Sequence, residues 1–349
     1  MREHGGDWLY HSEKNGFAPL DFSTNVSPLG IPVSVRRAAI QAIEQSDRYP
    51  DPDCRQLRRE LAAKWKLPME FFLCGNGAAE LLFRVVLAKK PKHALLIAPT
   101  FSEYEAALRV AECKLEIISL SEQQSFRVPE DFWKRITPDV DIVFLCEPNN
   151  PTGLTTSKER LLRILRRCEE TDTLLVVDEC FQDFLDKPEQ HTLLSEIAEY
   201  PQLLVVRAFT KLYAMAGLRL GYCICSNTAL LKRMYDVSQP WSVSTIAQSA
   251  GIAALKEDDY VDRVRTLVRE QRTRMFSSMR TLGLRVLPGE ANFLLFQARP
   301  GLKEDLWKRG ILIRECSNFI GLDDSWYRIA IRTEQENDQL LYTLREVLG

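Results

Sequence analysis

The chain has 349 residues, enough for two domains with sizeable cores, and its 45% hydrophobic and 27% charged content is that of an ordinary globular protein. Lys plus Arg (46) nearly balances Asp plus Glu (48), a net charge of −2, so no basic field points to nucleic acid or to an anionic membrane surface. Nine scattered cysteines without a CxxC pair argue for reduced thiols in a cytoplasmic compartment, and no metal site is expected. The start MREHGGDWLYHSEKNG lacks an apolar signal core, and no run approaches a membrane span in length.

Along the chain, FFL is followed by CGNGAAELLF (74–83), a glycine-bearing turn that opens a helix. Such a turn can aim free backbone N–H groups and the helix dipole at an anion, although a Gly-Asn-Gly turn is also common without any ligand. HALLIAP (93–99) reads as a strand, SEYEAALRVAE (102–112) as a helix and KLEIISL (114–120) as a strand again. DIVFLCEP (141–148) is the next strand and runs into EPNNPTG (147–153), a turn with two prolines framing two asparagines. A basic amphipathic helix (157–170) follows, then TLLVVDE (173–179), an apolar strand that ends on Asp178. QLLVVRAF (202–209) and GYCICS (221–226) are further strands, and between them Lys211 stands with Thr210 before it and Arg219 eight residues on.

Strands that are apolar throughout, with helices between them, predict an α/β fold whose mostly parallel sheet is flanked by helices. The long helical pattern at 258–283 then leads to the short strands LRVLP, NFLLFQA, ILIREC and WYRIAIR, the texture of a smaller α+β domain. The expected division is an N-terminal arm and helix over 1–50 packing on the small domain, a large domain over 51–257, and the small domain over 258–349.

Lysine is seldom buried without a partner, because desolvating an ammonium is costly. A buried lysine is also an imine-forming nucleophile, and its burial ceases to be a cost if it bonds an aldehyde cofactor. Pyridoxal phosphate needs the other pieces as well: an anion cradle, an acid for the pyridine nitrogen and an amide for the phenolate oxygen. Any one of them alone has an ordinary explanation as a turn, a cap or an ion pair. Four in this order, each at a strand end, point to pyridoxal 5′-phosphate. Arg314 and Arg332 end apolar strands in the C-terminal part, so two guanidinium groups are expected in one cleft for carboxylate or phosphate.

GNGAAE, FSEYEAAL, PNNPTG, VVDE and FTKLYAMAGLRLGY together resemble the fold-type I, class I/II aminotransferase family over essentially the whole chain. The resemblance implies Lys211 as the lysine bonded to the cofactor and Asp178 as partner of the pyridine nitrogen. It further implies Asn150 as donor to the phenolate oxygen and Tyr104 stacked on the ring. The cofactor phosphate would lie on the N–H groups of Ala78 and Ala79 with Thr210 and Arg219. Tyr49 would reach the partner's phosphate in a homodimer. Ala208 departs from the pattern, since relatives usually carry a serine there, and Phe181 stands where transaminases commonly have a tyrosine.

Within the family, HGG (4–6), DFSTNVSPLG (21–30), QPWSVS (239–244) and ILIRECSNFIGLDDSWYRIAIRT (311–333) are most similar to the branch that decarboxylates L-threonine O-3-phosphate for cobalamin biosynthesis. That implies a phosphorylated amino acid as substrate, its carboxylate on Arg332 and its phosphate on Arg314 with His4, Gly5 and Asn25. Aminotransferases of phosphorylated substrates such as histidinol phosphate share the core set, and serine phosphate differs from threonine phosphate by one methyl. The motifs by themselves do not separate decarboxylation from transamination.

Overall fold

The computed structural model describes residues 5–349. Its strands in chain order are β1 Leu20–Asp21, β2 Phe72–Gly75, β3 His93–Ala98, β4 Lys114–Ser119, β5 Ile142–Cys146, β6 Leu174–Asp178 and β7 Leu203–Ala208. They continue with β8 Gly221–Ile224, β9 Arg285–Val286, β10 Phe293–Gln297, β11 Ile311–Leu312, β12 Arg314–Glu315 and β13 Trp326–Ala330. Seven of them form one sheet in the order β2-β8-β7-β6-β5-β3-β4. Only β8 runs against its neighbours, pairing antiparallel with both β2 and β7. The sheet is mostly parallel, as the apolar runs predict, and alternate residues of each strand enter separate cores on its two faces. Val143, Leu145, Leu175, Val177, Leu203 and Val205 face one way, while Phe144, Cys146, Val176, Leu204 and Val206 face the other. Asp178 follows Val176 by that period of two, so its carboxylate is delivered to the second face at the strand's carboxyl end.

A second, antiparallel sheet has the order β12-β13-β10-β9. Leu294, Phe296, Tyr327 and Ile329 pack from it onto Met275, Met279 and Leu340 of the helices Asp258–Thr281 and Glu334–Leu348. The alternate residues Phe293, Leu295 and Trp326 join the core of the seven-stranded sheet. Period two therefore turns Arg328, between Tyr327 and Ile329, toward the larger sheet.

The N-terminal segment divides. Leu20–Asp21 pairs in parallel with Ile311–Leu312, and the Ala330 N–H donates to the Phe22 carbonyl, so this stretch lies beside the small sheet. The helix Val33–Ile43 instead packs on the helix Thr245–Ala254, not on the small sheet as the sequence pattern suggests. Its Val35 and Ala39 join Ala247, Ala250 and Ala254 in the large-sheet core, a small-residue contact between the two helices.

Candidate active site

A cavity of about 120 Å³ opens at the carboxyl ends of β5, β6 and β7. Asn150, Asp178, Lys211, Thr210, Ala78, Ala79 and Arg219, seven of the residues singled out in the sequence, line it together. The position is where open α/β sheets bind ligands. Lys211 is half-buried, and its Nζ lies 5.7 Å from the centre of the Phe181 ring. Burial, helped by the nearby Arg328 and, more weakly, Arg219, pushes its pKa down to about 8, against the pull of Cys180 and Asp178. Asp178 accepts hydrogen bonds from the Cys180 N–H at 3.0 Å and the Tyr104 hydroxyl at 2.8 Å. Burial raises its pKa, while those donors and Lys211 oppose the rise.

At the other end the helix Ala78–Lys89 begins at Gly77, which has φ +83° and makes no side-chain cap. The first N–H groups of this helix therefore face the cavity without an internal acceptor. The Arg219 guanidinium lies directly over Gly77, so close that a Cβ there would stand 2.7 Å from its Nη2. A guanidinium at the positive end of a helix dipole is unfavourable unless an anion sits between them. A phosphate group resolves that arrangement. Thr210 is buried beside it, and Ala208 presents only a methyl group.

Tyr104 and Arg332, both singled out in the sequence, do not face the cavity. Tyr104 is wholly buried, its ring stacked on Phe144 at 5.2 Å and its hydroxyl spent on Asp178. Phe101, three residues earlier at the turn into the helix Ser102–Val110, lines the cavity in its place. Arg332 also lies elsewhere: it stands beyond the end of β13 and pairs with Glu336 at 2.6 Å. Glu336 forms a capping box with Thr333 at the start of the helix Glu334–Leu348, so Arg332 braces a helix end.

The arginine that reaches the site is Arg328, inside β13 and buried. Its Nη1 donates to Asn150 Oδ1 and its Nη2 to the Ser23 carbonyl at 3.0 Å, while Nε has no partner among the described residues. Burial lowers its pKa to about 10. Arg314 lies directly opposite on β12, the two Cα atoms being partners in register. Arg314 is also buried, donates to Asn318 Oδ1 at 2.6 Å and lies over the Phe319 ring. Like charges directly opposite in a sheet are destabilising, so this pair fits a substrate with two anionic groups. The signal in the sequence was an arginine inside an apolar strand, where only a functional anion or a buried partner explains it.

Asn25 is buried, with its Oδ1 unpartnered among the described residues. Its segment reaches the site, since the Ser27 N–H donates to the Lys211 carbonyl at 2.8 Å. Gly5 approaches Ser23 so closely that a Cβ would stand 2.3 Å from its carbonyl oxygen, and the Gly6 N–H donates to Ser23 Oγ at 2.8 Å. His4 lies outside the described residues. Tyr49 is 78% exposed, stacked on Trp241 at 4.3 Å, and does not line this cavity. Among the described residues no cluster of metal-binding side chains occurs, and no helix is long and apolar enough to cross a membrane.

A lysine of lowered pKa, a buried carboxylate, an amide and an arginine-covered helix end at the ends of parallel strands define a pyridoxal 5′-phosphate enzyme. The chain belongs to the aminotransferase class I and II family, whose model matches residues 18–344. It is 38% identical to the threonine-phosphate decarboxylase of Salmonella typhimurium, over 99% of this chain and 96% of that one. It is 35% identical to the histidinol-phosphate aminotransferase of Symbiobacterium thermophilum, over 95% and 91% of the two chains. The crystal structure of the histidinol-phosphate aminotransferase from Clostridium acetobutylicum superposes with a TM-score of 0.88 at 32% identity, covering 94% of this chain and 99% of that one. The cofactor is pyridoxal 5′-phosphate.

Proposed function

We propose that the protein decarboxylates L-threonine O-3-phosphate to (R)-1-amino-2-propanol O-2-phosphate, a reaction that supplies cobalamin biosynthesis. The observation that carries the reading is the cross-strand pair Arg314 and Arg328, of which Arg328 bonds the cavity-lining Asn150. A phosphorylated amino acid offers a phosphate and a carboxylate at once, whereas histidinol phosphate has no carboxylate. The similarity to the Salmonella decarboxylase supports the same choice. Transamination of a phosphorylated substrate is the second reading, favoured by the likeness to the Clostridium aminotransferase.

In this reading the Ala78 and Ala79 N–H groups, Thr210 and Arg219 hold the cofactor phosphate, Phe101 covers the ring, and Asp178 meets the pyridine nitrogen. Bound pyridoxal phosphate supplies an electron sink for the bond broken at the substrate Cα. Tyr104 and the Cys180 N–H keep the Asp178 carboxylate in place. Arg328 takes the substrate carboxylate and Arg314, with Asn25, Gly5 and His4, the phosphate. Two anchored anions fix rotation about Cα, so the carboxylate is held where its bond breaks. Lys211, with a pKa of about 8, is poised to return a proton to Cα near neutral pH.

The two separate sheets support a division into a large part over 51–257 and a small part over 258–349, and an arm over 1–50 belongs to the same reading. Tyr49 and Trp241 form an exposed aromatic pair suited to a second copy of the chain, whose cofactor phosphate Tyr49 would reach; a cytoplasmic homodimer is part of the reading. Tyr49→Ala should raise the cofactor dissociation constant in the dimer, and unchanged affinity would refute the reach. The main test is incubation with phosphothreonine, phosphoserine, or histidinol phosphate plus 2-oxoglutarate, measuring carbon dioxide and new 2-oxo acid. Carbon dioxide from phosphothreonine without an added 2-oxo acid is expected. Activity seen only with histidinol phosphate and 2-oxoglutarate would replace the proposal by the second reading.

A further inference from the structure

The loop that carries Asn150 has a buried carboxylate at its base that the mechanism above does not use. Glu147 is 2% exposed, and its oxygens accept from the Thr156 N–H at 2.8 Å and from the Thr156 hydroxyl. These bonds close residues 147–156 into a ring. Inside it the Asn149 N–H donates to the Leu154 carbonyl and the Gly153 N–H to the Asn149 carbonyl. At the far side the Thr155 hydroxyl donates to Glu290, and the Glu290 N–H donates to the Gly153 carbonyl. The loop is thus fastened at its base by Glu147 and at its tip by the segment that enters β10.

The other charged groups facing Glu147 are carboxylates, Glu179 after β6 and Glu290 before β10. Glu179 is itself paired with Arg207 at 2.6 Å, and that guanidinium also reaches Asp183. Glu147 therefore has two neutral donors from Thr156 and two carboxylates in view. Burial pushes its carboxyl up to about 7, against the downward pull of the Thr156 bonds.

We propose that Glu147 is a positioning residue: it fixes the base of loop 147–156 and, through Asn150, aims the Arg328 guanidinium at a carboxylate ligand. The role of Arg328 in this inference rests on the function proposed above. A carboxyl whose folded pKa lies above its ordinary 4.5 contributes stability that is complete below 4.5 and lost as pH rises through about 7. The loop is therefore held most firmly on the acid side, and the carboxylate grip loosens as pH passes neutrality. Gln keeps an acceptor for the Thr156 N–H and a donor for its hydroxyl without a charge. Ala keeps neither.

The test uses cofactor-loaded protein with maleate, a dicarboxylate that is not turned over. Its affinity is read from the absorbance of the bound cofactor between pH 5.5 and 8.5, with Tm measured in parallel on wild type, Glu147→Gln and Glu147→Ala. Glu147→Ala should bind maleate about tenfold more weakly than wild type at pH 6, the scale of coupling through one packed contact. Glu147→Gln should match wild-type affinity at pH 6, keep it where wild type declines as pH passes about 7, and keep its Tm where that of wild type falls as pH rises toward about 7. Wild-type affinity in Glu147→Ala, or a decline in Glu147→Gln equal to that of wild type, would overturn the inference. An Arg328→Ala protein that still bound maleate normally would instead sink the functional reading. The Tm difference between wild type and Glu147→Gln across that pH window reports the loop alone.

Discussion

Replacing Arg328 by Ala and, separately, Arg332 by Ala distinguishes the two arginines of the WYRIAIR run. Arg328 is buried, held by Asn150 and the Ser23 carbonyl, and faces Arg314 across the sheet. A carboxylate bound there would make charge-assisted bonds away from water. Truncating one partner of such a pair costs about 3 kcal/mol, roughly 150-fold in kcat/KM for phosphothreonine. The cofactor-free variant should nevertheless be no less stable than wild type, because a buried cation facing another cation disappears with it. Arg332 is a partly exposed brace on a helix end, and its loss should cost about 0.5–1 kcal/mol of stability and leave kcat/KM within about twofold. Carbon dioxide release under substrate-limiting conditions gives kcat/KM, and melts of the cofactor-free proteins give stability. Equal kinetic losses in the two variants, or a loss confined to Arg332→Ala, would refute the assignment built on the register of β13.

Arg314→Ala should lower the affinity for phosphothreonine about a hundredfold and leave that for unphosphorylated threonine nearly unchanged; equal losses would mean that Arg314 holds no phosphate. The folded pKa of Lys211 lies below the usual 10.5, so its contribution is full above 10.5 and lost as pH falls through about 8. Lys211→Met should therefore melt higher than wild type when cofactor-free at pH 7, the gap closing toward pH 10.5, and borohydride should no longer fix cofactor to it; a gap that does not change with pH would contradict the burial argument. Ala208→Ser adds a hydroxyl at the wall of the cofactor cavity and should tighten pyridoxal phosphate binding about fivefold, or about 1 kcal/mol, in a fluorescence titration; weaker binding would place the phosphate elsewhere.

The parts of the site that were legible are those where a charge interrupts an apolar strand at its end. Asp178 and Lys211 stand out because Leu174–Val177 and Leu203–Val206 are buried on both faces and tolerate no casual ion. The same rule misleads at WYRIAIR, since Arg328, Ala330 and Arg332 share a parity. The strand stops at Ala330 because Thr333 caps the next helix, a boundary that alternation alone does not reveal. At FSEYEAAL the tyrosine has the look of the stacking ring, yet helix geometry turns residue 104 down onto Phe144 and leaves Phe101 at the mouth. The helix Val33–Ile43 packs on a different body from the one its pattern suggests, because its contact is made by alanines and a valine, which carry little pattern in a sequence.

What unites the site is that its charged groups are badly placed for an empty protein. Arg219 covers the positive end of a helix, Arg314 faces Arg328, Lys211 loses its proton readily, and the Asp178 carboxylate is buried. None of these helps the chain fold. Each is nevertheless held in place by its neighbours. Gly77 leaves room for Arg219, Asn150 and Ser23 hold Arg328, Asn318 and Phe319 hold Arg314, and Tyr104 with the Cys180 N–H holds Asp178. In the proposed function the scaffold carries that strain so that a phosphate, a pyridinium, a carboxylate and a second phosphate would each meet an opposite charge already in position. In that reading an anion cradle, an acid and a lysine in the cavity, with two arginines beyond Asn150, match a cofactor followed by a doubly anionic amino acid.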